Sequence, residues 1–213
     1  MARIILSALA AILIGYLLGS CNGAILISCG FYREDIRTRG SGNAGLTNFY
    51  RCFGGPATLL VIVIDMGKIF LAAWLGGLLA GEARLAEGQA LCGTAAILGH
   101  MFPVWYGFRG GKGILSSGAL VLFMSPPAFL FLLVVFTVTV ALTRYVSLGS
   151  ILAALLYPVC FLVLYRGHPV VVLLSLVGLL DVWRHRENIR RLRSGTESKF
   201  TFKKKDGDPT GRN

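Results

Sequence analysis

The sequence predicts an all-α fold: a polytopic integral membrane helix bundle of about seven transmembrane helices, with the N-terminus outside and the C-terminus in the cytoplasm. Three observations predict it. The 213 residues are 55% hydrophobic and only 15% charged, with a mean hydropathy of +0.70, which is too apolar for an ordinary soluble domain. Residues 4–32, 88–108, 113–143 and 145–165 contain no Lys, Arg, Asp or Glu, and roughly 20 apolar residues suffice to cross a bilayer as a helix. The basic residues, finally, collect between alternate runs.

The first run has one basic residue, Arg3, before it and stays apolar to Tyr32. That is longer than the apolar region of a signal peptide and predicts a retained first helix. Residues 52–81 make a second span despite Asp65 and Lys68, an i,i+3 pair that either neutralises itself or walls a pocket. Residues 88–108 form the third. The run 113–143 is interrupted by Ser125-Pro126-Pro127; double proline ends a helix, so two short spans turn there. Residues 145–165 and 167–182 complete the bundle, the last entered through His168-Pro169. Residues 1–197 thus form a single transmembrane domain and 198–213 a basic cytoplasmic tail, whose stretch 199–205 lies near the lipid headgroups or is disordered.

Orientation follows from the basic residues, because cytoplasmic loops are enriched in Lys and Arg. One side collects Arg33, Arg37, Arg39, Arg51, Arg109, Lys112, Arg144 and every basic residue from Arg184 onward, whereas the other has Arg3, Arg84 and Arg166. The formal net charge of +11 is therefore mostly a topology signal, and nucleic acid is not needed as a partner to explain it. The five cysteines show no CxxC spacing and, with the three histidines and ten acids, build no HExxH-like cluster. No disulfide, metal or cofactor site is assigned.

Two glycine-rich motifs invite phosphate readings. GSGNAG at residues 40–45 matches GxGxxG, and Asp65 stands about twenty residues downstream, yet the motif follows a charged loop instead of an apolar strand and precedes a membrane span. GGKG at residues 110–113 lacks both the leading glycine, at Tyr106, and the Ser or Thr that follows the lysine of a Walker loop. What remains is chemical. Three segments predicted on one side each combine small residues with a fixed cation, and closely spaced glycines turn backbone N–H groups toward an anion that the cation neutralises. The first offers Ser41, Asn43, Thr47, Asn48 and Arg51, the second Lys112 with the amides of residues 110–113. The third sets His185 beside Asn188 at i,i+3. His100, between Gly99 and Met101, reads first as a packing or helix-capping histidine and second as a catalytic one.

In this order and spacing, the blocks GSGNAGLTNFYR, GHMFPVWYGFRGGKG and HRENIRRLRSGTE, with RYVSLGS at residues 144–150, resemble the bacterial acyl-phosphate:glycerol-3-phosphate acyltransferases, the PlsY family. The likeness runs from the first helix to about Glu197. Ala44, Arg109 and Ile69 depart from the family's usual proline, lysine and glycine. The resemblance implies acyl transfer from a fatty acyl phosphate to the sn-1 hydroxyl of glycerol 3-phosphate in the bacterial inner membrane, with the site facing the cytoplasm and no metal or bound cofactor. Residue reading and resemblance together assign catalytic roles to Ser41, Arg51, Lys112, His185 and Asn188. Substrate contacts fall to Gly42, Asn43, Thr47, Asn48, Gly110, Gly111, Gly113, Arg144, Ser147 and Glu197. The attacking hydroxyl loses its proton either to His185, which predicts an ionisation near neutral pH, or to a phosphate oxygen of the donor. The alternative is a membrane transporter or channel for a phosphorylated anion, which needs polar residues reaching both faces; the outer side carries little beyond Arg84, Arg166 and His168. The sequence does not give the oligomeric state.

Overall fold

The computed structural model describes residues 1–200; the rest of the predicted basic tail lies outside the described residues. Among these, the chain is all helix and turn. The α-helices are α1 (Ala2–Ser20), α2 (Gly23–Tyr32), α3 (Leu46–Phe53), α4 (Ala57–Ala80), α5 (Leu85–Met101), α6 (Ile114–Met124), α7 (Pro126–Thr143), α8 (Val146–Leu164), α9 (Val170–Arg184) and α10 (Arg186–Arg193).

Small residues set how the first half packs. Gly15 and Gly19 lie one turn apart on α1, and a Cβ at either would run into the α5 backbone at Cys92 and Ala96, while Gly99 of α5 lies against the α1 backbone at Tyr16 and Ser20. Helix axes that lack a hydrophobic driving force in lipid gain contact by such close approach. The pairings rise together in number, so α1 and α5 run parallel. α4 runs antiparallel to both: Gly76 meets Gly88 at one end, and Asp65 and Lys68 meet Gly23 and His100 at the other. In the second half, Gly149 of α8 packs on Phe136 and Val140 of α7, and Gly178 of α9 packs on Ala154 and Pro158 of α8, both antiparallel. The outer surface is apolar. On α7, Leu130, Val134, Val138 and Leu142 form an exposed stripe at i,i+4 spacing, which suits lipid and not water.

Two elements differ from the sequence expectation. The apolar run through Tyr32 is not one helix: it breaks at Cys21-Asn22, where the Asn22 side chain accepts from the Ile25 N–H at 3.1 Å and caps α2. The turn at Ser125 falls where the prolines place it, with Ser125 capping α7 and Pro126-Pro127 filling its first positions, where no N–H is needed. The two arms are unequal, however. α7 has 18 residues and α6 only 11, so α6 rises ~16 Å, about half the thickness of a ~30 Å hydrocarbon layer. Four stretches, Ala2–Tyr32, Ala57–Ala80, Pro126–Thr143 and Val146–Leu164, are long and apolar enough to cross a membrane. α5 and α9, with 17 and 15 residues, pack among them.

This topology gathers one set of ends. The C-terminal ends of α1, α5, α7 and α9, the N-terminal ends of α4, α6 and α8, and the loops between them lie together.

Candidate active site

A cavity of about 630 Å³ opens at this end. Residues from the first loop, the GGKG loop and α10 line its mouth, and Val121, Phe129, Leu132 and Phe136 line its depth between α6 and α7. Polar mouth and apolar depth are continuous.

The first loop is shaped by Asn48. Its carbonyl accepts from the Ser41 N–H at 2.9 Å, and its amide donates to the carbonyls of Arg39 and Asn43, both at 3.0 Å. Asn48 borders the cavity, and both ends of its side chain are engaged in shaping the loop. α3 then buries Phe49, which clusters with Tyr32 and Phe53, and this leaves Thr47 and Arg51, i,i+4 neighbours, on the opposite face toward the cavity. Arg51 is exposed and makes no ion pair among the described residues. Ser41 and Asn43 border the cavity and Gly42, in a turn at φ 69°, does not.

The GGKG loop corrects the reading of its amides. Gly110 N–H donates to the Met101 carbonyl at 3.2 Å and Gly111 N–H to the His100 carbonyl at 3.1 Å. These two donors are consumed in folding the loop back on α5, and neither glycine lines the cavity. They are glycines because a Cβ at Gly110 would strike the His100 carbonyl and one at Gly111 the His100 ring. Arg184 clamps the loop from α9, donating to the Gly111 carbonyl at 2.8 Å. Lys112 and Gly113 are thereby turned into the cavity.

Lys112 begins a chain of polar contacts. Its ammonium donates to Asn188 Oδ1, Asn188 Nδ2 donates to Glu197 Oε1 at 2.7 Å, and Arg191 Nε donates to Glu197 Oε2 at 2.7 Å. Burial, with the Arg191 and Arg184 charges beside it and Glu197 opposing them, lowers the Lys112 ammonium to about 8. Burial raises the Glu197 carboxyl, but the hydrogen bonds from Asn188 and Arg191 outweigh it and leave it below its usual value. Glu197 borders the cavity and ties Asn188 to Arg191.

His185 sits at the junction of α9 and α10, so it and Asn188 share one pocket across a helix break instead of one continuous helix face. Its Nδ1 lies 2.8 Å from the Asp181 carbonyl, which only accepts; Nδ1 therefore carries the hydrogen and Nε2 is the acceptor. Burial lowers this imidazole to about 4, against the Asp181 contact and helped by the Lys112 and Arg184 charges. It is neutral at physiological pH, and the ionisation near neutral pH predicted for a His185 base is displaced.

Of the remaining predicted residues, Ser147 is buried and borders the cavity, whereas the exposed Arg144 lies outside it, its carbonyl accepting from the Phe200 N–H at 2.7 Å. Sequence reasoning missed Asp181, 1% exposed beside Gly113, as well as Arg184 and Arg191. It also missed that the first turns of α3, α6 and α8 all border the cavity, at Leu46-Thr47, Ile114-Leu115 and Val146-Ser147. A helix N-terminus presents unpaired N–H groups and the positive end of its dipole, which suits an anion. Among the described residues no three His, Cys, Asp or Glu side chains come together as a metal set.

A helix bundle with membrane-spanning stretches, whose cation-bearing mouth opens into an apolar chamber, is the architecture of a membrane protein with an amphipathic cavity. The comparisons with known proteins agree. The glycerol-3-phosphate acyltransferase family model matches residues 9–195. The glycerol-3-phosphate acyltransferase of Syntrophomonas wolfei is 42% identical over 91% of this chain and 97% of its own, and that of Geobacillus kaustophilus 43% identical over 90% and 95%. A crystal structure of PlsY, an integral membrane glycerol 3-phosphate acyltransferase, in its glycerol 3-phosphate form superposes with a TM-score of 0.82 at 35% identity over 92% of this chain and 96% of that one. Its lysophosphatidic acid form gives 0.79 at 36% identity. The chain belongs to the glycerol-3-phosphate acyltransferase family.

Proposed function

We propose that the cavity transfers a fatty acyl group from an acyl phosphate to the sn-1 hydroxyl of glycerol 3-phosphate, releasing phosphate and lysophosphatidic acid, the opening step of phospholipid synthesis. One observation carries this reading: the cationic mouth and the apolar chamber form one continuous cavity. A donor with a phosphate at one end and a long chain at the other is solvated along its whole length there. The bound forms of the PlsY relative, with glycerol 3-phosphate and with lysophosphatidic acid, support the acceptor and the product.

Acyl phosphate is already activated, so no covalent nucleophile is required. The hydroxyl oxygen bonds to the acyl carbon, the bond from that carbon to the phosphate oxygen breaks, and its electron pair leaves with phosphate. Arg51, Lys112 and the three helix N-termini hold two mutually repelling anions in register, which is an entropic and electrostatic contribution. Ser41 and Asn43 border the same anions, and His185 and Asn188 orient glycerol 3-phosphate. The base is the donor phosphate. An imidazole near 4 is a weak base for a hydroxyl, whereas the donor's phosphate gains basicity as the bond from the acyl carbon to its oxygen breaks. His185→Gln should accordingly raise the KM for glycerol 3-phosphate roughly tenfold with turnover within a few-fold. A roughly hundredfold loss of turnover at unchanged KM assigns the base to His185 instead.

The donor is tested directly. Purified protein in detergent should make lysophosphatidic acid from palmitoyl phosphate in the presence of EDTA and none from palmitoyl-CoA; activity with the thioester alone would overturn the donor assignment.

The site faces the cytoplasm across the inner membrane, a reading supported by the positive residues gathered at its end. Single cysteines at Gly40, Arg109 and Ser194, in a background lacking the native five, should react with an impermeant reagent only from the cytoplasmic side, and one at Glu82 only from outside. Outside labelling at any of the first three refutes this orientation.

A further inference from the structure

We propose that His100 is a substrate-contacting hydrogen-bond donor in the acyl transfer, its Nε2–H fixed toward the cavity by the Lys68–Asp65 pair; this rests on the transfer reading above. Lys68 fixes the ring. An ammonium has three donors, and Lys68 Nζ has three acceptors: the Cys21 carbonyl at 3.0 Å, Asp65 Oδ1 at 2.7 Å and His100 Nδ1 at 3.0 Å. Asn22 Nδ2, which also donates to the Ala44 carbonyl of the first loop, reaches the same Nδ1 at 3.4 Å. Asp65 Oδ1 is further away, at 3.5 Å, and is engaged by Lys68 and by the Gly23 N–H at 2.9 Å. Nδ1 thus faces two donors and accepts, so the ring hydrogen belongs on Nε2.

That hydrogen has no partner among the described residues, although His100 is only 3% exposed and lines the cavity. The ring edge bearing Nε2 rests against Gly111, where a Cβ would displace it, beside the loop that presents Lys112. A donor that the protein leaves without a partner at a cavity wall is open to a ligand or to water. The partner chemistry here is an anionic oxygen, either on a phosphoryl group or on the acyl carbon as it gains negative charge. The two histidines then have opposite tautomers and complementary tasks, His185 accepting and His100 donating. Asp65 and Lys68 are positioning residues, acting through His100.

Asparagine places an oxygen near the position of Nδ1, and glutamine an amide near that of Nε2. His100→Asn keeps the acceptor for Lys68 and loses the cavity donor; His100→Gln keeps a donor. The expected result is a melting temperature for His100→Asn close to that of the native protein with turnover reduced about a hundredfold, and His100→Gln within about tenfold of native turnover. Native turnover in His100→Asn overturns the proposal. Native protein assayed alongside separates the two claims: without transfer from palmitoyl phosphate the donor assignment fails, whereas full activity in both native protein and His100→Asn removes only the role of His100. A measurement on unmutated protein decides the matter if the variants do not fold. ¹⁵N-histidine NMR in micelles should show His100 as the Nε2–H tautomer, shifting on addition of inorganic phosphate if the partner is phosphoryl, or only with an acyl phosphonate if it is the acyl oxygen. An Nδ1–H tautomer, or no response to either ligand, overturns it.

Discussion

Lys112→Ala should leave a folded protein with kcat/KM reduced about a hundredfold, because removing one cation from a water-poor phosphate site costs on the order of 3 kcal/mol of transition-state binding. The loop itself should survive. It is held by the Gly110 and Gly111 amides on α5 and by Arg184, none of which involves the lysine side chain. The same residue sets a pH limb. The ammonium, at about 8 in the free protein, is charged below that value and neutral above it, so kcat/KM should fall as pH rises through about 8. Bound anions favour the charged form, so the limb in kcat should lie higher. Lys112→Ala should lose the limb together with the rate, and a variant retaining near-native turnover would reduce the GGKG loop to a tight connection between helices.

Asp65→Ala should destabilise the protein by about 3–5 kcal/mol, the usual cost of stranding a buried charge without its partner. Asp65 is 1% and Lys68 7% exposed, and the carboxylate also holds the Gly23 N–H where α1 breaks into α2. Thermal unfolding in detergent reads the loss, and the double variant Asp65→Ala/Lys68→Met should recover most of it, because removing both charges removes the penalty. A single variant as stable as the native protein would show that the pair is solvated after all.

Much of the site was legible because its residues are local in sequence. Polar, glycine-spaced runs between apolar helices point to anion chemistry by contrast alone, and the side assigned from basic residues groups Arg51, Lys112, His185 and Asn188, which do border one cavity. The failures share a cause. The amides of Gly110 and Gly111 look available in a GGKG motif, and only the fold supplies the His100 and Met101 carbonyls that take them. The amide of Asn48 is consumed in the same way by its own loop. Residues 4–32 carry no charge, which hid the break at Asn22, whose side chain caps α2 through the Ile25 N–H and also reaches Ala44 and His100. The Pro126-Pro127 turn is local and was visible, whereas the unequal length of the two arms it joins was not. Asp181 and Arg184 lie within an apolar helix, and their relation to the GGKG loop is purely tertiary.

The convergence of α3, α6 and α8 on the cavity bears on how this protein tolerates change. Side chains can be exchanged by a single codon; a helix terminus cannot. Attraction for phosphate that comes from peptide groups is written nowhere in particular in the gene and has no titratable proton, so it persists through substitutions of individual cations and across the pH range in which the helices stay folded. Inactivating variants of this chain should therefore grade, each lost cation leaving a measurable remainder, and drift in the residues around the mouth can retune the site without abolishing it.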